Sequence, residues 1–205
     1  RPYVLKNPIC SPFSPVHTIV CETIEDTLGW IERIDDSEGI FLQEYFGTAE
    51  AGHFVFISGG EICSLVTNQE YKRAFTGDMG PLAGAPLAGI VEQDPFDKYG
   101  LAKELIHPLK PWFEETKYTG PLQVTAIRKN GIWYAIEYNI RLGVTTTALL
   151  LRMLKNPVKS LLQVVQNKIP LLEWNQEKKF GCTLTLAGYG YPYIISSVPR
   201  LPVEV

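Results

Sequence analysis

The segment from Trp133 to Gly143, WYAIEYNIRLG, carries three polar side chains at alternating positions of a predicted strand. Glu137, Asn139 and Arg141 are spaced two residues apart, so all three point to one face of an extended chain. A carboxylate and an amide oxygen on one face suit Mg²⁺, which binds through oxygen and shares its shell with phosphates. A guanidinium beside them would pair with an anion held by that metal. The alternative is a half-exposed strand whose polar face meets water, because any such strand alternates.

Two hairpins with glycine-containing turns are predicted, and this segment supplies the second strand of the later one. Their strands are Leu122 to Arg128, Ile132 to Asn139, His53 to Ser58 and Glu61 to Thr67. Helix starts are predicted at Thr23 with Asp26, at Asp94 with Pro95, and at Asn156 with Pro157. The second of these helices is expected to run towards Trp112 with a break at Pro108. The stretch Gly77 to Gly89 has no sustained period and is predicted to be a loop. Strands and helices in this mixture predict an α+β domain.

Composition limits the class of protein. The chain has 205 residues, of which 45% are hydrophobic, and can bury a core. A net charge of −3 and a pI near 5.7 argue against a nucleic-acid partner. No apolar run approaches the ~20 residues of a membrane span, and the start lacks a signal-peptide pattern. We therefore expect a cytoplasmic protein that binds neither nucleic acid nor membranes. The scattered cysteines and histidines predict no disulfide framework and give zinc little support.

Five segments occur in the order in which one known family has them. They are TNQEYKR at Thr67 to Arg73, GDMGPLAGAP at Gly77 to Pro86, YTGPLQV at Tyr118 to Val124, IEYNIRLG at Ile136 to Gly143, and EWNQEKKFGCTLTLAGYGYP near the C-terminus. Together they resemble the phosphoribosylamine–glycine ligase family of purine biosynthesis, which belongs to the ATP-grasp ligases. The resemblance implies an ATP-grasp fold, with two α+β lobes built on antiparallel sheets. It implies that residues 1–172 form this domain, with a small lobe at about 1–42 and a large lobe at about 43–172. Residues 173–205 would begin a small β-rich C-terminal domain.

The resemblance also implies which residues bind ATP. Lys6 is similar to the strand lysine that reaches the ATP phosphates, and Glu44, Tyr45 and Phe46 match the hinge that binds adenine. Glu50 matches the glutamate that accepts hydrogen bonds from the ribose hydroxyls, and a carboxylate can accept two such bonds from a diol. Without the resemblance, Lys6 is a surface lysine at a strand end and Glu50 a solvated loop acid.

Substrate and metal sites follow from the same resemblance. The implied substrate-binding residues are Gln69, Lys72, Arg73, Gly77, Asp78 and Gly80. Glycines in such a loop let backbone amides approach a phosphate or carboxylate closely; the alternative for the Lys-Arg pair is an ordinary charged hairpin exit. Glu137 and Asn139 match the metal ligands, and Arg141 matches the catalytic residue that faces the transferring phosphoryl group or acyl phosphate. The implied cofactors are ATP and Mg²⁺, with Mn²⁺ as an alternative metal.

The sequence departs from the family pattern at several places. After its first strand the family has a glycine-rich loop with a second lysine, whereas this chain has NPICSPFSP, whose prolines lack backbone N–H donors. Asp78 replaces the usual second glycine of the later loop. Val144 to Thr147 stands where the family has an acidic pair on the substrate side. The family also has domains on either side of the region matched here.

Two functions therefore stay open. The first is an ATP-dependent carboxylate–amine ligase of the phosphoribosylamine–glycine ligase type, working through an acyl phosphate. Its substrates would be a glycine-like carboxylate and a phosphoribosylamine-like amine, or altered relatives of them. The second is a non-catalytic or degenerate ATP-grasp domain that binds a nucleotide or a partner. We expect magnesium-ATP binding, with ligase turnover absent or very slow.

Overall fold

The structure is a computed structural model of the chain and describes residues 2–6, 18–34, 39–77, 79–83 and 85–186. Contacts within the backbone divide the chain into two compact units, Arg1–Gly47 and Thr48–Val205. The sequence segment NPICSPFSP, Asp78 and the segment GYGYP lie outside the described residues. Within the described ranges, every helix is too short or too polar to cross a membrane.

The described residues of the first unit form a three-stranded antiparallel sheet and helix α1. Its strands are β1 (Tyr3–Lys6), β2 (Thr18–Cys21) and β3 (Phe41–Glu44), in the order β2-β1-β3. Helix α1 (Ile24–Ile31) begins where the capping pattern predicted it. The Thr23 hydroxyl accepts a hydrogen bond from the Asp26 amide at 3.0 Å, which satisfies one of the free N–H groups of the first turn.

The second unit is built on a six-stranded antiparallel sheet in the order β10-β9-β4-β5-β8-β11. The strands of this unit are β4 (Glu50–Ser58), β5 (Glu61–Tyr71), β6 (Arg73–Phe75), β7 (Met79–Leu82), β8 (Ala88–Gln93), β9 (Gly120–Lys129), β10 (Ile132–Asn139) and β11 (Phe180–Leu184). Strands β6 and β7 form a separate small hairpin. Both predicted hairpins, β4–β5 and β9–β10, are confirmed. Asn130 and Gly131 have φ of 53° and 83°, as a tight Asn-Gly turn requires.

The helical segments of this unit differ in part from the prediction. They are a π-helical turn (Ala102–Ile106), a 3₁₀ turn (His107–Leu109), α2 (Lys110–Thr116), α3 (Val144–Met153) and α4 (Pro157–Val165). A helix starting at Asp94 and Pro95 is wrong, because the turn is capped instead by Asp97, whose carboxylate accepts from Ala102 N at 3.0 Å and Lys103 N at 2.7 Å. The break at Pro108 is confirmed by the 3₁₀ turn.

The prediction of a loop from Gly77 to Gly89 is wrong for part of its length, because this stretch includes β7 and the start of β8. Strand β8 lies inside the sheet between β5 and β11. A Cβ on Gly89 would lie 3.5 Å from Thr145 Oγ1, so helix α3 packs closely over the strand here. Small residues at such a site give no periodic signal, and the strand is specified by its neighbours.

Hydrophobic side chains cover both faces of the large sheet. Phe54 and Phe56 of β4 pack in one cluster with residues of α3 and α4, and Val55 and Ile57 pack in another with the segment 101–113. Alternate residues of one strand therefore contribute to two cores, as a sheet covered on both sides requires.

Candidate functional site

One end of the face that packs under α3 is polar. Glu137 of β10 pairs with Thr125 of β9, Thr125 pairs with Gly52 of β4, and Gly52 pairs with Asn68 of β5. Directly paired residues point to the same face, so these positions form a row across four strands. Gly143, just before α3, marks the edge of the apolar core: a Cβ there would lie 2.9 Å from Phe54 Cζ.

The centre of this polar area is the Lys72 ammonium. Its Nζ lies 2.7 Å from Glu50 Oε2, 3.6 Å from Glu137 Oε1 and 3.7 Å from Glu70 Oε2. The Lys72 side chain is 15% exposed, and Glu50, Glu70 and Glu137 are 17%, 5% and 45% exposed. Three separate strands therefore bring a carboxylate to one lysine, and only the Glu137 carboxylate is broadly open to solvent.

Electrostatics keep this lysine charged. Burial by itself lowers the pKa of Lys72, but the carboxylates of Glu50, Glu137 and Glu70 more than reverse this, and the net pKa is raised. Three carboxylates against one ammonium leave this cluster with a net negative charge. A site of that charge favours a further cation.

The Glu70 carboxylate is held by two side-chain amides. Asn68 Nδ2 and Gln123 Nε2 both donate to Glu70 Oε1, each at 2.9 Å. All three residues are buried. Gly52 lies directly beneath them, since a Cβ there would be 2.4 Å from Asn68 Oδ1 and 2.9 Å from Gln123 Nε2. The amide pair therefore fits because residue 52 has no side chain.

The residues predicted to bind metal lie beside Lys72. Asn139 Nδ2 donates to Glu137 Oε1 at 3.3 Å, so Glu137 and Asn139 share a face although the pairing with β9 shifts between Ala135 and Glu137. The exposed Glu137 carboxylate and the Asn139 amide oxygen are hard donors with space for water ligands, which fits Mg²⁺. Arg141 is exposed two residues further along, and no described residue forms an ion pair with it.

The other predicted substrate residues are not all drawn into this cluster. Gln69 is exposed and, by alternation along β5, points away from the face that holds Asn68 and Glu70. Arg73 Nη1 donates to the carbonyl of Gly80 at 2.8 Å, which ties it to the β6–β7 hairpin. Gly77 is exposed in the turn of that hairpin, with φ of 78°.

The predicted ATP residues other than Glu50 lie in the first unit. Lys6 ends β1 and pairs with Phe41 of β3, and Glu44 ends β3. Tyr45 follows, and its amide donates to the carbonyl of Pro2 at 3.2 Å. Phe46 is half-buried.

A second polar cluster lies under the opposite face of the sheet. The Thr67 hydroxyl donates to Asp94 Oδ2 at 2.7 Å. His53 Nδ1 lies 2.7 Å from Thr67 Oγ1, and because the hydroxyl proton is already used, His53 Nδ1 must donate to Thr67 Oγ1. Burial lowers the pKa of His53, although Asp97 and Asp94 oppose this, and the ring is neutral. Both carboxylates already accept hydrogen bonds from Thr67 or from backbone amides at each oxygen. The cluster is therefore a structural cap, and its donors compete with any cation.

Comparisons with known proteins agree with the family resemblance of the sequence. No protein-family model matches the chain. Phosphoribosylamine–glycine ligase of Vibrio parahaemolyticus is 27% identical over 197 residues, covering 89% of this chain and 46% of the relative. The crystal structure of phosphoribosylamine–glycine ligase from Thermotoga maritima has a TM-score of 0.69 at 23% identity, over 93% of this chain and 50% of that chain. Along most of its length the chain is therefore similar to the phosphoribosylamine–glycine ligases. Its fold is that of the ATP-grasp ligases.

More distant ATP-grasp ligases share this fold. Biotin carboxylase from Campylobacter jejuni, solved as a beta-gamma-ATP complex, has a TM-score of 0.59 at 15% identity and covers 87% of this chain and 39% of that chain. The chain spans about half the length of the curated phosphoribosylamine–glycine ligases that it matches.

Sequence reasoning missed Asn68, Glu70 and Gln123. The sequence held a signal for two of them, because Asn68, Glu70 and Lys72 are spaced two residues apart at the end of β5 and just after it. This spacing places the Glu70 carboxylate on the same face as the Lys72 side chain. For Gln123 the only sequence signal is that it is a polar residue within the mostly apolar strand segment LQVTA.

Proposed function

We propose that the chain is the ATP- and metal-binding part of an ATP-dependent carboxylate–amine ligase of the phosphoribosylamine–glycine ligase type. The observation that carries this proposal is the Lys72 ammonium among Glu50, Glu70 and Glu137, with Asn139 beside them. Such a site combines a cation for an anionic substrate with oxygen ligands for a metal. The curated relatives are named ligases, which favours catalysis over a purely binding role.

ATP is the proposed nucleotide, because a structural neighbour was solved with a beta-gamma-ATP ligand. Lys6, Glu44, Tyr45 and Phe46 would bind it through the first unit, as the family resemblance implies. Glu50 Oε2 is the closest partner of Lys72, so its other oxygen, Oε1, would accept from the ribose.

The proposed reaction is the transfer of the γ-phosphoryl group of ATP to the carboxylate of a glycine-like substrate, which releases ADP. An amine then attacks the acyl phosphate. Phosphate leaves as the carbon–nitrogen bond forms, and the amine loses a proton. Mg²⁺ held by Glu137 and Asn139 would neutralise charge on the phosphoryl oxygens. Lys72 and Arg141 would supply fixed positive charge for the same anions, which is the main catalytic contribution in phosphoryl transfer.

Several finer assignments are part of the proposal. Gln69, Arg73, Gly77, Asp78 and Gly80 would contact substrate, and phosphoribosylamine is the proposed amine. The domain limits at residues 42 and 172 and the cytoplasmic location are also proposed, with support from the family resemblance alone.

Calorimetry with magnesium and a non-hydrolysable ATP analogue tests this function. We expect magnesium-dependent heat for the wild type, and Glu137→Gln should weaken binding by about tenfold or more, since a metal ligand is lost. Glu61→Gln, which removes an exposed carboxylate at the far end of β5, is the matched control and should bind as the wild type does. Absence of magnesium-dependent heat at millimolar nucleotide would refute the proposal.

Turnover is measured separately as phosphate release that depends on both glycine and phosphoribosylamine. We expect it to be absent or very slow, because the loop NPICSPFSP offers neither the glycines nor the lysine of the family's phosphate loop. Rapid release would contradict that expectation while supporting the ligase assignment.

A further inference from the structure

We propose that Asn68 and Gln123 are positioning residues, which aim Glu70 at Lys72 and so fix the ammonium in the site. Neither residue belongs to the set implied by the family resemblance. The consequence for nucleotide binding rests on the proposed function, whereas the positioning itself does not.

The hydrogen bonds restrict how Glu70 can turn. Asn68 Nδ2 and Gln123 Nε2 both donate to the same oxygen, Oε1, at 2.9 Å. The other oxygen, Oε2, is then directed to Lys72, with Nζ 3.7 Å away. An ionised carboxylate only accepts hydrogen bonds, so both amides must present their NH₂ groups. Two donors on one oxygen therefore fix the plane of the carboxylate.

The backbone around the amides is shaped for this arrangement. Gly52 leaves the space that Asn68 Oδ1 and Gln123 Nε2 occupy, and Gly143 lies against Gln123, since a Cβ there would be 3.6 Å from Gln123 Oε1. Asn68 Oδ1 is buried without a hydrogen-bond partner among the described residues. An unsatisfied buried acceptor costs free energy. Asn68 is nevertheless oriented with its NH₂ group, and not its oxygen, towards Glu70, as Gln123 is.

Of the three carboxylates beside Lys72, Glu70 is the one that has no proposed ligand of its own. In the proposed function Glu137 binds the metal and Glu50 binds the ribose, so both are drawn towards ligands when the site is loaded. Glu70 is buried and contacts Asn68, Gln123 and Lys72. It is therefore the carboxylate that keeps the flexible lysine in place when the others are engaged.

The ligand-free test is the side-chain ammonium resonance of Lys72 in the full chain labelled with ¹⁵N, assigned by its loss in Lys72→Met. We expect a resolved resonance in the wild type, because a held ammonium exchanges slowly with water. Gln123→Met keeps the side-chain length and removes the donor, and it should broaden or abolish the signal, as should Glu70→Gln. Gln93→Met is the matched control, because Gln93 lies in strand β8 of the same sheet and also donates hydrogen bonds, to the carbonyls of Asn175 and Lys178. This variant should leave the Lys72 resonance unchanged.

A double-mutant cycle separates positioning from general packing. Gln123→Met should weaken binding of the magnesium-loaded ATP analogue about tenfold in the wild type and less than about twofold in the Glu70→Gln background, because the route through Glu70 is already lost. Should Gln123→Met fail to fold, Asn68→Ser removes the other donor with a smaller polar side chain and carries the same expectations.

Two results would overturn the inference: an unchanged Lys72 resonance in folded Gln123→Met and Asn68→Ser, or equal losses of binding in both backgrounds. A Lys72 resonance that behaves as expected in a protein that binds no magnesium nucleotide would support the positioning and refute the proposed function.

Discussion

Replacing Gly52 with alanine tests whether the buried amide pair is built as described. The new Cβ would lie 2.4 Å from Asn68 Oδ1 and 2.9 Å from Gln123 Nε2, and contacts below 3.0 Å force a shift. Both amides are 2% exposed, so neither can swing into solvent. At least one of their hydrogen bonds to Glu70 must lengthen or break.

The expected cost follows from three effects. A hydrogen bond to a charged group contributes about 1.5–3 kcal/mol, and overpacking a filled site costs about 1–3 kcal/mol. Removing a glycine returns about 0.4–1 kcal/mol by restricting the unfolded chain. We therefore expect Gly52→Ala to lower the free energy of unfolding by about 1.5–5.5 kcal/mol.

Urea denaturation followed by tryptophan fluorescence measures this change, because Trp133 and Trp174 lie in the same unit. The midpoint should fall by about 1 M or more. In an Asn68→Ala background the closest contact is gone, and the same glycine replacement should cost about half as much. A midpoint within about 0.2 M of the wild type would refute the packing described here.

Two further predictions concern the opposite face of the sheet. Burial lowers the pKa of His53 in the folded protein. As the pH falls below about 6.5, the ordinary pKa of histidine, the unfolded chain binds a proton before the folded chain does. The free energy of unfolding should therefore decrease there by up to ~1.4 kcal/mol per pH unit. His53→Gln should flatten this slope in urea midpoints measured from pH 7.5 to 5, and an unchanged slope would contradict the assignment. Asp97→Ala should cost about 1–2 kcal/mol by removing a helix cap and should speed hydrogen exchange at Ala102 and Lys103. Asp97→Asn, which tolerates the φ of 51°, should keep most of the stability; equal losses in the two variants would argue against capping.

Local signals predicted those parts of the fold that are set by neighbouring residues. The turn at Asn130 and Gly131 and the cap at Thr23 require only the conformations that these residue types favour. Glu137 and Asn139 are two apart on one strand, so their shared face could be read without knowing the sheet. The same reasoning failed for β8, whose small residues have no period, and for α3, which begins with β-branched residues that do not favour helix.

The site itself could be predicted only in part, because its members meet through the order of the strands. Glu50, Glu70 and Glu137 start from β4, β5 and β10, and β9 lies between β4 and β10. That order is set by long-range pairing, which no local pattern contains. The family resemblance directed attention to Gln69, but alternation along β5 places Asn68 and Glu70 on the face of the sheet that holds Lys72.

The exposure of the three carboxylates indicates how the site would exchange partners on loading. Glu137 is open to solvent, so it can release Lys72 and take a hydrated divalent ion without first desolvating it. Glu70 is buried and already bound by two amides, so no hydrated ion can replace the ammonium there without breaking those bonds. Magnesium should therefore compete with Lys72 for Glu137 and leave the Lys72–Glu70 contact intact. In the proposed function, the Lys72 ammonium would remain beside Glu70 and, once released from Glu137, would face the anion that the metal binds.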